Sequence, residues 1–412
     1  RDLGSRLVIR VGPALDTLRK LAAETGARQV FWNRLYEPAH IERDKRVKLA
    51  LREDGLSVES FNAALLFEPW EMSKADRAPY RVFTPFWKSC VRAGLPCALH
   101  DAPTQMPAVP APLSSLNIED LALLPTLPWD GGLRSTWQVG EQAALENLQR
   151  FAQGSMAAYH EERNRPDLQA TSRLSPHLHF GEVGPRQVVA ACTREGETKG
   201  GTVFLSEIGW REFAHHLLYH FPRTTDAPMQ ERFAAFAWSE PDEILLEAWR
   251  QGRTGIPMVD AGMRELWHTG WMHNRVRMIV ASFLTKNLLM PWQEGARWFW
   301  DTLVDADLAN NTQGWQWTAG CGADAAPYFR IFNPVLQGAR FDPSGAYVRR
   351  WVPELAQVPD ERIHQPRKAP AEGSGEGNPL ISSSYPLPIV DIKASRERAL
   401  ERYERLQQTR ET

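Results

Sequence analysis

The sequence predicts an α/β N-terminal domain, built on a parallel doubly wound sheet that lacks its first strand, followed by an all-α C-terminal domain. Three observations carry this. Over residues 1–99 short apolar runs alternate with helix-period segments, residues 100–134 are strewn with proline, and from 135 to 412 the apolar patterns have helical period. A chain of 412 residues is long enough for two cores.

In the first region "RLVIRVG" (Arg6–Gly12) and "ARQVFWN" (Ala27–Asn33) read as buried parallel strands, with "PALDTLRKLAAETG" as the helix between them. A second helix, "RDKRVKLALREDG", precedes a third strand, "LSVESFNA". Only about half of a doubly wound sheet is accounted for, so an earlier strand–helix unit is expected either to have been lost or to lie outside this sequence. No Gly-rich phosphate loop follows a strand, which removes the usual dinucleotide fingerprint. From about His100 to Leu133 the prolines argue for an irregular connector wrapping the surface. Beyond it, residues 140–163, 183–195, 201–221, 258–270 and 271–289 are expected as helices. A Pro-, Gly- and Ser-containing tail (Pro366–Pro388) then leads to a last short helix.

The charged fraction is 24% and the net charge −2, which neither suggests nor excludes nucleic acid, since a local basic rim is enough to bind it. Cys90, Cys97, Cys192 and Cys321 show neither zinc-site spacing nor a dense disulfide pattern, as in a reduced compartment. Cys90 and Cys97, on either side of a helix-to-loop transition, are expected to be packing residues. No apolar run approaches a membrane span and the N-terminus is no signal peptide, so a cytoplasmic protein without membrane contact is expected. The compositional outlier is tryptophan, at 16 residues. Most will be core, and the remainder stacking platforms or electronic elements.

Four segments carry unusual chemistry. In "TSRLSPHLHFGEVGPRQ" (Thr171–Gln187) hydroxyls and an arginine precede a helix with proline at its start, where backbone N–H groups suit a phosphate. Ser and Thr cap most helices, so alone these read first as a cap. In "FLSEIGWREF" Glu207 and Arg211 have the spacing of a surface salt bridge, but Phe204, Trp210 and Phe213 suggest a recognition wall around the pair. In "GWMHNRVRMIVASF" Asn274, Arg275 and Arg277 open a helix against its dipole, which calls for an anionic partner, while His273 reads as a packed or capping residue. "DADLANNTQGWQW" (Asp305–Trp317) sets two aspartates beside asparagines and tryptophans without His or Cys, so no metal is expected there.

Together with "GIPMVDAGMRELWHTGWMHNR" and "DAAPYFRIFNPVLQG", these segments resemble the photolyase/cryptochrome family in order and spacing, most specifically across Tyr159–Pro343. "WMHNR" (Trp271–Arg275) is similar to the branch acting on cyclobutane pyrimidine dimers, and the resemblance is closest to class I DNA photolyases. It implies that the helical domain binds FAD, reduced and non-covalent. Tyr159, Thr171, Ser172, Arg173, Leu174, Ser175, Phe204, Glu207, Arg211, Trp271, Asn274, Arg277, Asp305, Ala306, Asp307 and Asn311 would hold it. Arg277 would pair with Asp305, and Asn311 would face flavin N5. Trp210 and Trp317 would wall a cavity for an extruded pyrimidine pair, with Glu207, Asn274 and Met278 against the lesion. Trp315, Trp292 and Trp238 match the family's chain of electron-carrying indoles. Arg163, Arg211, Arg275, Gln337 and Arg340 would join the lesion contacts in binding UV-damaged DNA as a monomer.

The sequence departs from the family at two places. Phe204 stands where Trp is general. Ala39 and His40 replace a polar pair of folate-using relatives, so the second, antenna chromophore stays open among folate, deazaflavin and none. The alternative function is a cryptochrome-type blue-light photoreceptor without repair, whose usual C-terminal extension is not expected after "DIKASRERALERYERL". A flavoprotein oxidoreductase would leave the Arg-rimmed, Trp-walled cavity unexplained.

Overall fold

A computed structural model describes residues 3–110, 112–367 and 385–408. Two strands, β1 (Gln29–Asn33) and β2 (Ser57–Phe61), pair in parallel with Gln29 opposite Ser57 and Asn33 opposite Phe61. Each is rich in β-branched and aromatic residues. The inward positions Val30, Trp32 and Val58 pack on Val47 and Leu51 of α2 (Pro38–Glu53) and on Leu15 and Leu18 of α1 (Ala14–Thr25). In the first turn of α2, His40 Nδ1 lies 2.9 Å from Glu37.

Arg6–Gly12 is not the expected buried strand. Leu7 and Val11 are each 74% exposed, and the segment is tied to the connector: Ile9 N–H donates to Ser115 Oγ, and Leu116 N–H to the Ile9 carbonyl, at 2.9 and 3.0 Å. Partners met singly on an irregular chain build no ladder, so the apolar alternation finds no face to bury.

After α3 (Phe83–Ala93), residues 94–130 hold a single 3₁₀ turn among those described. Then follow α4 (Gly131–Thr136), α5 (Glu141–Gln153), α6 (Tyr159–Glu162), α7 (Ser175–His179), α8 (Pro185–Arg194) and α9 (Lys199–His220). Next come α10 (Glu243–Arg250), α11 (Pro257–Thr269), α12 (Asn274–Ser282), α13 (Trp292–Thr302), α14 (Leu308–Ala319), α15 (Pro334–Phe341), α16 (Ala346–Trp351) and α17 (Ile392–Gln408). The span 140–163 is two helices, broken at Gly154. The last helix has 17 residues and is not short. Most of the Pro366–Pro388 tail lies outside the described residues.

The main core gathers α10 to α14, α16 and α17 around Trp249, Trp292, Trp315 and Tyr347. Cys90, Cys192 and Cys321 are buried free thiols that burial pushes up to about 12, 11 and 12. Cys97 is exposed, so it is not the packing residue expected. Among the described residues no helix is long and apolar enough to cross a membrane.

Candidate functional site

Three helices turn one face each into a common cavity of about 440 Å³. From α9 come Glu207, Trp210, Arg211 and Ala214, from α12 Asn274, Arg277, Met278 and Ala281, and from α14 Asn311, Gly314, Trp315 and Thr318. Each set has the spacing i, i+3, i+4, i+7, which places its members on one helical stripe. These stripes mix charge, amide and indole where a core would be apolar. Arg163, Arg275, Asp305, Ala306, Asp307 and Trp317 complete the expected residues on the walls.

At the junction of α12 and α14, Arg277 Nη2 donates to Asp305 Oδ2 at 2.8 Å and Arg277 Nε donates to the Met272 carbonyl at 2.7 Å. Asp305 Oδ1 is buried without a partner. Asp307 caps α14 by accepting from Asn310 N–H at 2.8 Å. Burial opposes its charge, but His215, His179 and Arg211 outweigh that and hold Asp307 well below the usual carboxylate range. The two histidines approach it at 3.4 and 3.8 Å. Neither was singled out from the sequence, because α7, α9 and the α14 cap meet only in space. Asn311 donates its Nδ2 to the Ala296 carbonyl at 2.9 Å, which leaves its Oδ1 as an acceptor.

The expected Glu207–Arg211 pair does not form. Glu207 takes the guanidinium of Arg163, while Arg211 donates to the Ala64 carbonyl at 2.6 Å and lies beside buried Glu212. Spacing permits an i, i+4 bridge, and better partners across the helix pull its members apart. Phe204 and Phe213 do not flank the pair either. Phe204 is 4% exposed and packs on Phe151 and Tyr159, and Phe213 is fully buried against Phe86.

On the rim, Arg275 donates to Asn164 Oδ1 at 2.7 Å, while the other arginine of this helix start, Arg277, has the carboxylate of Asp305. Its guanidinium stacks on Phe341 at 4.6 Å, with Arg340 over the same ring at 5.1 Å. Burial first, then Arg163, Arg340 and Arg330, push Arg275 below its ordinary value. Arg330 was missed: it stands inside "DAAPYFRIFNP", where no spacing marks it. Arg340 and Gln337 lie on α15, outside the cavity. His273 caps α12 by accepting from Arg275 N–H at 3.1 Å.

Tyr159, Thr171–Ser175, Phe204 and Trp271 also lie outside the cavity walls. Arg173, at φ +50°, is held between Trp137 and Trp271 at 4.9 and 4.5 Å, and its Nε is buried without a partner. Trp271 Nε1 donates to Ser175 Oγ at 3.4 Å.

Of the remaining indoles, Trp315 is 2% exposed and meets Phe299 edge-on at 4.9 Å and Trp249 at 6.2 Å. It lies so close on α13 that a Cβ at Gly295 would come within 1.9 Å of its ring. Trp292 begins that helix and is also 2% exposed. Half-buried Trp238 rests on Phe236 at 4.5 Å, and the next residue, Ser239, donates its N–H to the Leu289 carbonyl, three residues before Trp292. Trp249, not picked out from the sequence, thus stands edge-on beside Trp315.

Comparison with known proteins is in keeping with this geometry. The family profile described as "FAD binding domain of DNA photolyase" matches residues 204–405, and "DNA photolyase" matches residues 1–111. The chain is 47% identical to a deoxyribodipyrimidine photo-lyase of Agrobacterium fabrum, over 98% of this chain and 85% of that protein. It is 38% identical to Cryptochrome-1 of Arabidopsis thaliana over 97% of this chain, spanning 60% of that longer protein. The crystal structure of a bacterial class III photolyase from Agrobacterium tumefaciens superposes with a TM-score of 0.92 at 46% identity, covering 99% of this chain and 85% of that one. The chain belongs to the photolyase/cryptochrome family, and its helical part is an FAD-binding domain.

The residues present fit that cofactor. An isoalloxazine ring offers N3–H, and when reduced N5–H, as donors; the unpartnered Asp305 Oδ1 and the free Asn311 Oδ1 are acceptors. The unpartnered Nε of buried Arg173 suits a diphosphate.

Proposed function

We propose that this protein repairs UV-damaged DNA, splitting cyclobutane pyrimidine dimers in a light-driven reaction. The observation that carries it is the cavity with Trp210 and Trp317 on its walls, the Arg277–Asp305 pair and Asn311 within it, and arginines at its rim. When bound, reduced FAD supplies the light-driven electron that opens the cyclobutane ring. Trp210 and Trp317 give π-faces to the extruded bases, a stacking worth about 1–3 kcal/mol per base, and damaged bases leave the duplex most readily. Glu207, held by Arg163, and Asn274 bond the lesion, with Met278 packed against it. Asp305 and Asn311 accept from the flavin edge, Asp307 and Arg211 line the same wall, and Thr171–Ser175 with Arg173 take the diphosphate. The relatives named deoxyribodipyrimidine photo-lyase support repair over signalling. The likeness to a class III structure favours that subclass over the class I resemblance of Trp271–Arg275.

The test is illumination of the reduced, flavin-loaded protein with a dimer-containing oligonucleotide. Restored pyrimidine absorbance is expected; flavin photochemistry without any repair would favour the photoreceptor reading.

Two further results are expected. Arg163, Arg275 and Arg340 position the DNA by its phosphates, so Arg275→Ala should flatten the salt dependence of duplex binding by about 0.9 in log K per log salt, for damaged and intact DNA alike. A salt series of binding curves checks this, and an unchanged slope would turn Arg275 toward the protein. Trp292→Phe should leave flavin content intact and slow light-driven reduction of the oxidised flavin by an external reductant at least tenfold. Repair by chemically reduced enzyme should survive; equal loss of both would make Trp292 a structural residue.

A further inference from the structure

The indole of Trp210 does not stand alone on its wall. The Phe83 ring, from the first residue of α3 on the α/β side, lies parallel to it with centroids 3.8 Å apart and planes 11° from each other. Trp87, one turn further along α3, is parallel to Phe83 in turn, at 6.4 Å and 9°. A slab of three rings therefore reaches from the N-terminal part of the chain to the cavity. It can form because α9 carries glycine at position 209: a Cβ there would come 2.5 Å from the Trp87 ring. Phe83 is also pinned by its backbone, whose N–H donates to Asp324 Oδ2 at 2.9 Å. The segment leading into α3 is strapped to α9, since Glu212 accepts from the N–H groups of Leu66 and Phe67, and His216 accepts from Tyr80 N–H at 3.0 Å.

We propose that Phe83, backed by Trp87, is a positioning residue that holds the Trp210 indole in the orientation needed to stack on an extruded dimer, so that α3 sets discrimination between damaged and intact DNA. The proposal rests on the repair reading of the cavity. One face of Trp210 is occupied by Phe83, and the Phe213 ring meets it edge-on at 5.9 Å without stacking, so the flat support comes from Phe83 while the rest of the indole lines the cavity. Without that backing the indole can turn about its side-chain bonds, and a lesion would have to order it on binding. Intact duplex, which extrudes no base, gains nothing from the ordered indole. The effect is therefore confined to the lesion-dependent part of affinity.

The experiment measures binding of dimer-containing and intact duplex by flavin-loaded wild type, Phe83→Leu, Phe83→Tyr and Trp87→Leu, with melting temperature and flavin content followed in each. Phe83→Leu should weaken dimer binding about fivefold, the size of one lost aromatic pair, and leave intact-duplex binding unchanged. Phe83→Tyr, which keeps the ring, should restore it. Trp87→Leu should produce a smaller loss of the same kind, and it decides the matter should Phe83→Leu fail to fold. Full discrimination in the leucine variants, equal weakening of both DNAs, or no rescue by tyrosine would overturn the proposal. A wild type that does not prefer dimer DNA would overturn the repair reading and this proposal with it, a result distinct from loss of preference in the variants alone.

Discussion

Asp305→Ala is expected to destabilise the protein by about 3 kcal/mol and to abolish stable FAD retention. The Asp305 side chain is 3% exposed and its Oδ2 holds Arg277, whose guanidinium also donates to the Met272 carbonyl and lies over the Trp271 ring at 5.9 Å. Removing the carboxylate takes the hydrogen-bonded counter-charge from a partly buried cation, the costly way to break such a pair. Arg277 is 24% exposed, so water can relieve part of the penalty, which is why the lower end of the usual 3–5 kcal/mol is expected. The same substitution removes Oδ1, a buried acceptor without a protein partner. Urea unfolding together with the flavin-to-protein absorbance ratio measures both effects. Asp305→Asn should keep more of the stability than alanine, because an amide oxygen can still accept from Arg277, and still lose flavin. Full flavin occupancy in the alanine variant would remove Asp305 from the cofactor wall.

The parts of this site that could be read from sequence are those carried by helical stripes. In "EIGWREF", "NRVRM" and "NNTQGWQW" the chemically unusual residues recur at intervals of three and four, so each helix announces which of its faces is not core. Arg277 and Asp305 could be joined only through the family resemblance, since 28 residues separate them. What escaped is what depends on how elements meet. Glu207 and Arg211 are correctly spaced for a bridge, yet Arg163 and the Ala64 carbonyl reach them first. Phe204 and Phe213 share a helix with Trp210 but leave it on buried faces. His215 and His179 converge on Asp307 from two helices, and no periodicity within either reports it. The same holds for the fold. β1 and β2 were legible because each finds a partner in register, whereas Arg6–Gly12 has an equally strand-like pattern and no ladder to join.

Glu207→Gln is expected to lower dimer repair per absorbed photon about tenfold, equivalent to about 1.4 kcal/mol, while flavin content and affinity for intact DNA change less than about twofold. Glutamine keeps the size of the side chain and one acceptor oxygen, so the α9 stripe and the packing beside Trp210 stay in place. What it removes is the negative charge that now fixes the Arg163 guanidinium at the cavity wall. The pair is 28% exposed on each side, and a lesion seated in the cavity would displace that water and make the fixed charge count. Without that charge the Arg163 guanidinium is held less firmly where it meets both the lesion side of the cavity and the neighbouring phosphate, and less hydrogen-bonding capacity is aimed at the lesion. The measurement is repair yield under calibrated light, for Glu207→Gln, Arg163→Gln and the double variant. If Glu207 and Arg163 act as one unit, the double variant should be no worse than the poorer single variant. If the losses multiply, each side chain meets the lesion separately. An undiminished yield in Glu207→Gln would take the carboxylate out of the reaction and leave Asn274 as the polar group of α12 that bonds the dimer.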